Sequence, residues 1–157
     1  MSTISDDLLD SIEFLINKYR LHMRMPVDIG PLLERFSVSK LNFTPTTLGM
    51  ALVRPKQMYI GINKNLEPTW QRMALAHEAG HIIANQPHSL FVCKTSDWAK
   101  ERDEREAQII AACLLVPLKV IKDDYQVTTA PQLAKLLRVP PDLVDLRWSF
   151  ARVHGDI

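Results

Sequence analysis

Cysteine is scarce: only Cys93 and Cys113 occur in 157 residues. Two thiols in a chain of this length are poor material for a disulfide framework, so a reducing cytoplasm is the expected compartment. Long apolar runs are also missing, and nothing approaches the roughly 20 residues that a membrane span needs. The opening Met1-Ser-Thr-Ile-Ser-Asp-Asp7 has neither a basic stretch nor an apolar core, so a secretory signal is not expected. No internal repeat, low-complexity tract or Gly/Ser linker interrupts the chain. A surplus of one charge sign is absent too. The formal net charge is +1, which speaks against a strongly basic nucleic-acid surface, and no direct nucleic-acid binding is expected. What is present is ordinary globular material, 46% hydrophobic and 24% charged, enough for one domain over 1–157 with a core of its own.

Hydrophobic periodicity divides the chain into three parts. Residues 6–20 read as an amphipathic helix with Leu8, Ile12, Leu15 and Tyr19 on one face, followed by a turn at Met25-Pro26-Val27-Asp28 and a short helix over 31–36. From 40 to 63 the pattern is that of strands, at 41–43, 50–53 and 58–62, broken by Pro45, Gly49 and the Arg54-Pro55-Lys56 turn. These predict a small three-stranded antiparallel sheet. Helices return over 70–84 and 97–116, stopped by Pro87 and Pro117. A helical hairpin follows, with helices over 131–138 and 141–153. The class is α+β, with helices packed on one face of the sheet.

The chemistry concentrates in His77-Glu78-Ala79-Gly80-His81. Two histidines four apart on a helix project from the same face and can meet one ion. Zinc binds neutral imidazole nitrogen and keeps one position open in catalytic sites. Glu78, next to the first histidine, points away from the metal and is placed to act as base toward water. Gly80 is expected to leave room near the metal. A catalytic zinc wants a third protein ligand, and no His-x-x-Gly-x-x-His extension supplies one. The next predicted helix opens with Glu101, Asp103, Glu104 and Glu106, and the spacing leaves the choice among these open.

Two stretches carry a resemblance to a known family. Ala76-His-Glu-Ala-Gly-His-Ile82 and Glu104-Arg-Glu-Ala-Gln-Ile-Ile-Ala-Ala-Cys-Leu-Leu-Val-Pro117 resemble the ImmA/IrrE-type zinc peptidases of bacteria and phages. The second stretch is similar to that family's Glu-x-x-Ala-Asn-x-Phe-Ala-Ala-x-Leu-Leu-Met-Pro. Weaker similarity runs from Met25-Pro-Val-Asp28 through Ile62-Asn63 to the pair of helices around 133–147. The resemblance implies a zincin-like fold and a gluzincin-like site, with one zinc held by His77, His81 and Glu104 and with Glu78 as base. It also implies a protein substrate, a helix-turn-helix transcriptional repressor, whose cleavage derepresses phage, mobile-element or stress genes. Gln108 and Ile110 stand where the family has Asn or Asp and Phe. Gln108 is one turn beyond Glu104, where a side-chain hydrogen bond to a zinc histidine is expected.

Further residues are candidate substrate or oxyanion contacts: His88 just past the metal helix, Asn63 at the end of the third predicted strand, and Tyr59 within it. Tyr125 is a further phenol of this kind. Substrate is expected to lie extended along 58–62, adding to a free sheet edge. Cys113, among Ala112 and Leu114, reads as core. The segment from Leu133 to Arg147 mimics a helix-turn-helix, but Asp142 and Asp145 offset Arg147 and Arg152, and a hairpin packed on the core fits better. Two rival readings of the chain remain. One is a zinc-site module that sequesters a repressor without cutting it. The other is a DNA-binding regulator whose zinc is structural.

Overall fold

The computed structural model describes residues 4–84, 90–94 and 102–157. Helix α1 (Asp6–Lys18) starts where the Ser5 side chain accepts the Leu8 N–H, with Asp6 and Asp7 at its positive end and Lys18 at its negative end. A single 3-10 turn (Leu21–Met23) and the one-turn α2 (Gly30–Leu33) lead into the sheet. Its strands are β1 (Ser37–Leu41), β2 (Thr47–Arg54), β3 (Gln57–Asn63) and β4 (Leu90–Lys94). Between β3 and β4 runs α3 (Pro68–Ile83), and α4 (Arg102–Leu115) follows. Then come α5 (Leu118–Asp124), α6 (Ala130–Leu137) and α7 (Pro141–Val153). Proline opens α3, α6 and α7, where its missing N–H leaves no intrahelical bond unmade. Thr129 and Gln132 add a reciprocal capping box to α6.

The α+β class holds, but the sheet differs from the expected one. It has four strands in the order β1-β3-β2-β4, and β1 runs parallel to β3. β1 escaped its proper register because Ser37-Val-Ser-Lys-Leu41 is exposed throughout and carries little apolar pattern. β4 lies in the connection between the two motif helices and pairs with β2 across an irregularity between Thr47 and Gly49. The free edge expected along 58–62 is not found. β3 is paired on both sides, with β1 and with β2, so its 58–62 stretch has no free edge for a substrate. Among the described strands, the outer edges belong to β1 and β4. The short α5 is a further difference: Pro117, the expected stop of the preceding helix, is also the N-cap of a new one.

Two apolar clusters result. Residues from α1, α4, α6 and α7, among them Ile12, Ile110, Leu114, Leu137 and Phe150, form a helical core. Ala51, Ile60 and Ile62 of the sheet close on Ala74, Ala79 and Ile82 of α3 in a second core. Helix α3 contributes to both, since its Met73 and Ala76 belong to the helical cluster. No helix among the described residues is long and apolar enough to cross a membrane.

Candidate metal centre

Spacing alone joins the two histidines. On α3 they share a face, and their rings meet edge-on with centroids 4.9 Å apart and planes at 84°. Both are buried. The third donor comes from α4, which passes so close that a Cβ on Gly80 would stand 2.8 Å from the Ala107 carbonyl oxygen and 3.1 Å from its Cα. The expected role of Gly80, room near the metal, therefore becomes room for the backbone of α4. Glu104 lies one turn before Ala107 and reaches back across this contact. Its Oε2 is 2.8 Å from His77 Nε2 and its Oε1 is 3.1 Å from His81 Nε2. One donor atom from each of the three lies within 4.8 Å of the others, the one such cluster among the described residues.

The charges fit this arrangement. Burial by itself would raise the Glu104 pKa, but the two histidines outweigh it and hold the carboxylate down at about 2. His77 is pushed below the usual histidine range by burial, which Glu104 only partly opposes. Both groups are thus in the forms that bind metal, an ionised carboxylate and a neutral imidazole.

Glu78 turns the other way, toward the sheet. A Cβ on Gly49 of β2 would lie 3.2 Å from its Cγ and 3.2 Å from its Oε1. The residue is wholly buried, and neither carboxylate oxygen has a hydrogen-bond partner among the described residues. Burial first, and the negative Glu104 second, raise its pKa well above the ordinary carboxylate value. An orphaned acid beside three converging donors is what a site that receives a cation would contain. Two imidazoles and a carboxylate suit a divalent ion of borderline softness. The residues present therefore fit a metal.

The remaining predicted residues separate clearly. Asp103 is exposed and Glu106 half-buried, so the acid turned toward α3 is Glu104. Gln108 is half-buried and makes no hydrogen bond to either histidine among the described residues. Asn63 is buried but engaged elsewhere. Its Nδ2 donates to the carbonyls of Thr44 and Thr47 at 3.1 and 2.9 Å, and its Oδ1 accepts from Asn65 N. It clamps the connection from β1 to β2. Tyr59 alternates with the core residue Ile60, so it lies on the sheet face turned away from α3, 38% exposed. Tyr125 donates to Asp145 at the helical end. His88 and Glu101 lie outside the described residues. Cys113 is buried core as expected. Arg147, placed on the would-be recognition helix, is buried and donates from Nε to the Val116 carbonyl.

Sequence reasoning missed Gly49, which it took only as a strand breaker. A lone glycine inside a strand pattern is itself a sign of close approach, and here the approaching group is Glu78. Comparison with known proteins bears on the whole arrangement. Residues 33–149 match the model of the Peptidase_M78 family, described as an IrrE N-terminal-like domain. No curated protein matches the chain.

Proposed function

The chain belongs to the Peptidase_M78 family, a family of metallopeptidases, and from that membership we propose that it is a zinc-dependent endopeptidase that cuts a helix-turn-helix transcriptional repressor. The observation that carries the reading is the convergence of His77, His81 and Glu104, with Glu78 orphaned beside them. One donor atom from each of the three lies within 4.8 Å of the others, close enough for two imidazoles and a carboxylate to share a single ion. Zinc held there would supply a Lewis acid for the scissile carbonyl and for a water.

The protein's own residues do the rest. His77 and His81 present Nε2, and Glu104 gives a carboxylate already ionised. Glu78 takes the proton of the attacking water and returns it to the leaving amine. Its raised pKa suits the second task, and a neighbouring dication favours the ionised form that the first task requires. We read 1–157 as one working unit, with the helix pair over 129–153 packed on the core. The repressor as substrate rests on the family resemblance.

The test is incubation of the purified, zinc-loaded protein with purified helix-turn-helix repressors, taking first any that is found encoded beside its gene, followed by mass spectrometry of the products. Cleavage at one or a few bonds is expected. Glu78→Gln should retain zinc and lose turnover by several orders of magnitude. Relief of repression in cells by Glu78→Gln as effective as by wild type would instead make the chain a sequestering module.

A further inference from the structure

Away from the metal centre, a cavity of about 600 Å³ opens at the start of α3. Three separate segments deliver an arginine to its wall. Arg24 comes from the stretch before α2, Arg72 from the second turn of α3, and Arg138 from the turn between α6 and α7. We propose that this cavity is a binding site for a small phosphomonoester, its phosphate dianion held by Arg24, Arg72 and Arg138. The proposal goes beyond the peptidase reading and does not depend on it.

Arg72 carries the argument. Its Nε and Nη2 are buried, and among the described residues they have no hydrogen-bond partner. Nor does its guanidinium make an ion pair there. The charge is thus poorly compensated inside the protein, and with Nε and Nη2 closed to solvent, Nη1 is the donor left to meet a ligand in the cavity. The one carboxylate in the wall is Asp28, whose Oδ1 already accepts the Gly30 N–H at 2.9 Å. Three cations against one anion leave a surplus of two positive charges, in a chain whose whole formal charge is +1. Burial, opposed by Asp28 and reinforced by the like charge of Arg138, lowers the Arg72 pKa.

A ligand of charge near −2 with three acceptor oxygens balances that surplus, and guanidinium groups grip such oxygens in pairs. A carboxylate has half the charge and too few oxygens for three arginines. Pro68 and Thr69 also line the cavity, so the positive end of a 16-residue helix faces the same space, with no side-chain cap from Glu67. The volume lies within the usual range for small ligands, so the phosphate can carry a group of nucleoside size.

The experiment uses the full chain. Inorganic phosphate, a nucleoside monophosphate, a short DNA duplex and sodium chloride at equal ionic strength are each titrated, with melting temperature and calorimetric heat as readouts. Phosphate and the nucleotide should raise the melting temperature saturably at one site per chain, and chloride should not. Arg72→Gln should weaken binding roughly tenfold or more. Arg24→Gln and Arg138→Gln alter exposed side chains, so they keep the test decisive if Arg72→Gln fails to fold, and each should weaken binding comparably. Arg54→Gln, at the exposed end of β2, should leave it unchanged. A phosphate shift no larger than that of chloride overturns the proposal. So does binding that survives both Arg24→Gln and Arg138→Gln, or a protein that binds the duplex through these arginines and ignores both small phosphates.

Discussion

Replacing Gly80 with alanine adds one methyl group at the crossing of α3 and α4, where backbone meets backbone. That methyl would lie 2.8 Å from the Ala107 oxygen, 3.1 Å from its Cα and 3.3 Å from its carbonyl carbon. Ordinary contact begins near 3.4 Å, so α4 must retreat by about half an ångström, and no flexible side-chain end is there to yield. Helix propensity alone would make Gly80→Ala stabilising by about 1 kcal/mol. Overpacking opposes it by about 1–3 kcal/mol, which leaves the metal-free variant between unchanged and about 2 kcal/mol less stable. The effect on metal binding should be larger in kind. Glu104 sits one turn from Ala107 and moves with it, and a ligand set tolerates only about 0.5 Å of displacement. Zinc affinity should fall roughly tenfold or more. In zinc-saturated protein the deficit then grows by a further 1.4 kcal/mol or so. Denaturant titration with and without zinc, alongside competition against a chelator of known affinity, measures both parts. A variant about 1 kcal/mol more stable than wild type, with unaltered zinc affinity, would show that the close helix contact does not position the ligand.

Separate Asp103→Asn, Glu104→Gln and Glu106→Gln proteins should differ in zinc content after dialysis. Wild type and the two flanking variants should hold about one zinc per chain, and Glu104→Gln should lose roughly a hundredfold or more in affinity; equal retention by all three would remove Glu104 from the ligand set. Stability of the metal-free protein should also depend on pH through Glu78. Its folded pKa is raised well above 4.5, so above that value the folded state binds more protons than the unfolded one. Its contribution is therefore fully present below about pH 4.5 and lost as pH rises through the raised value. Glu78→Gln should abolish this decline, and stability–pH curves for the two proteins that run parallel from pH 4.5 upward would contradict it. His77 acts with the opposite sign. Its lowered pKa makes stability fall as pH drops below about 6.5.

Much of this arrangement could be read from the residues, for identifiable reasons. The His77–His81 spacing defines a face whatever surrounds it, and the prolines and capping residues punctuate the helices. The choice of Glu104 was not legible from the helical wheel. From Ala107 onward α4 is buried on nearly every side, so the centre of its apolar stripe does not mark the direction of α3. Family resemblance, the longer reach of Glu over Asp and Gln108 one turn beyond select the residue instead, and the Gln108 argument fails because that side chain bonds neither histidine among the described residues. The fourth strand and the parallel placement of β1 stayed hidden because pairing is a property of distant partners, and the exposed Ser37–Leu41 carries no alternation to announce it. Asn63 and Tyr59 have suitable chemistry, yet their roles depend on what else claims their donors and on which face they occupy.

Helix α3 is shared between the two cores, and its reactive side chains divide along the same seam. The metal donors look toward α4, while Glu78 looks toward Gly49 and the sheet. The helix is therefore a partition between two halves of the molecule. A substitution in the sheet would change the floor under Glu78 without touching His77, His81 or Glu104. Mutational drift in the sheet should accordingly appear as altered turnover and pH response, and drift in the helical half as altered metal retention.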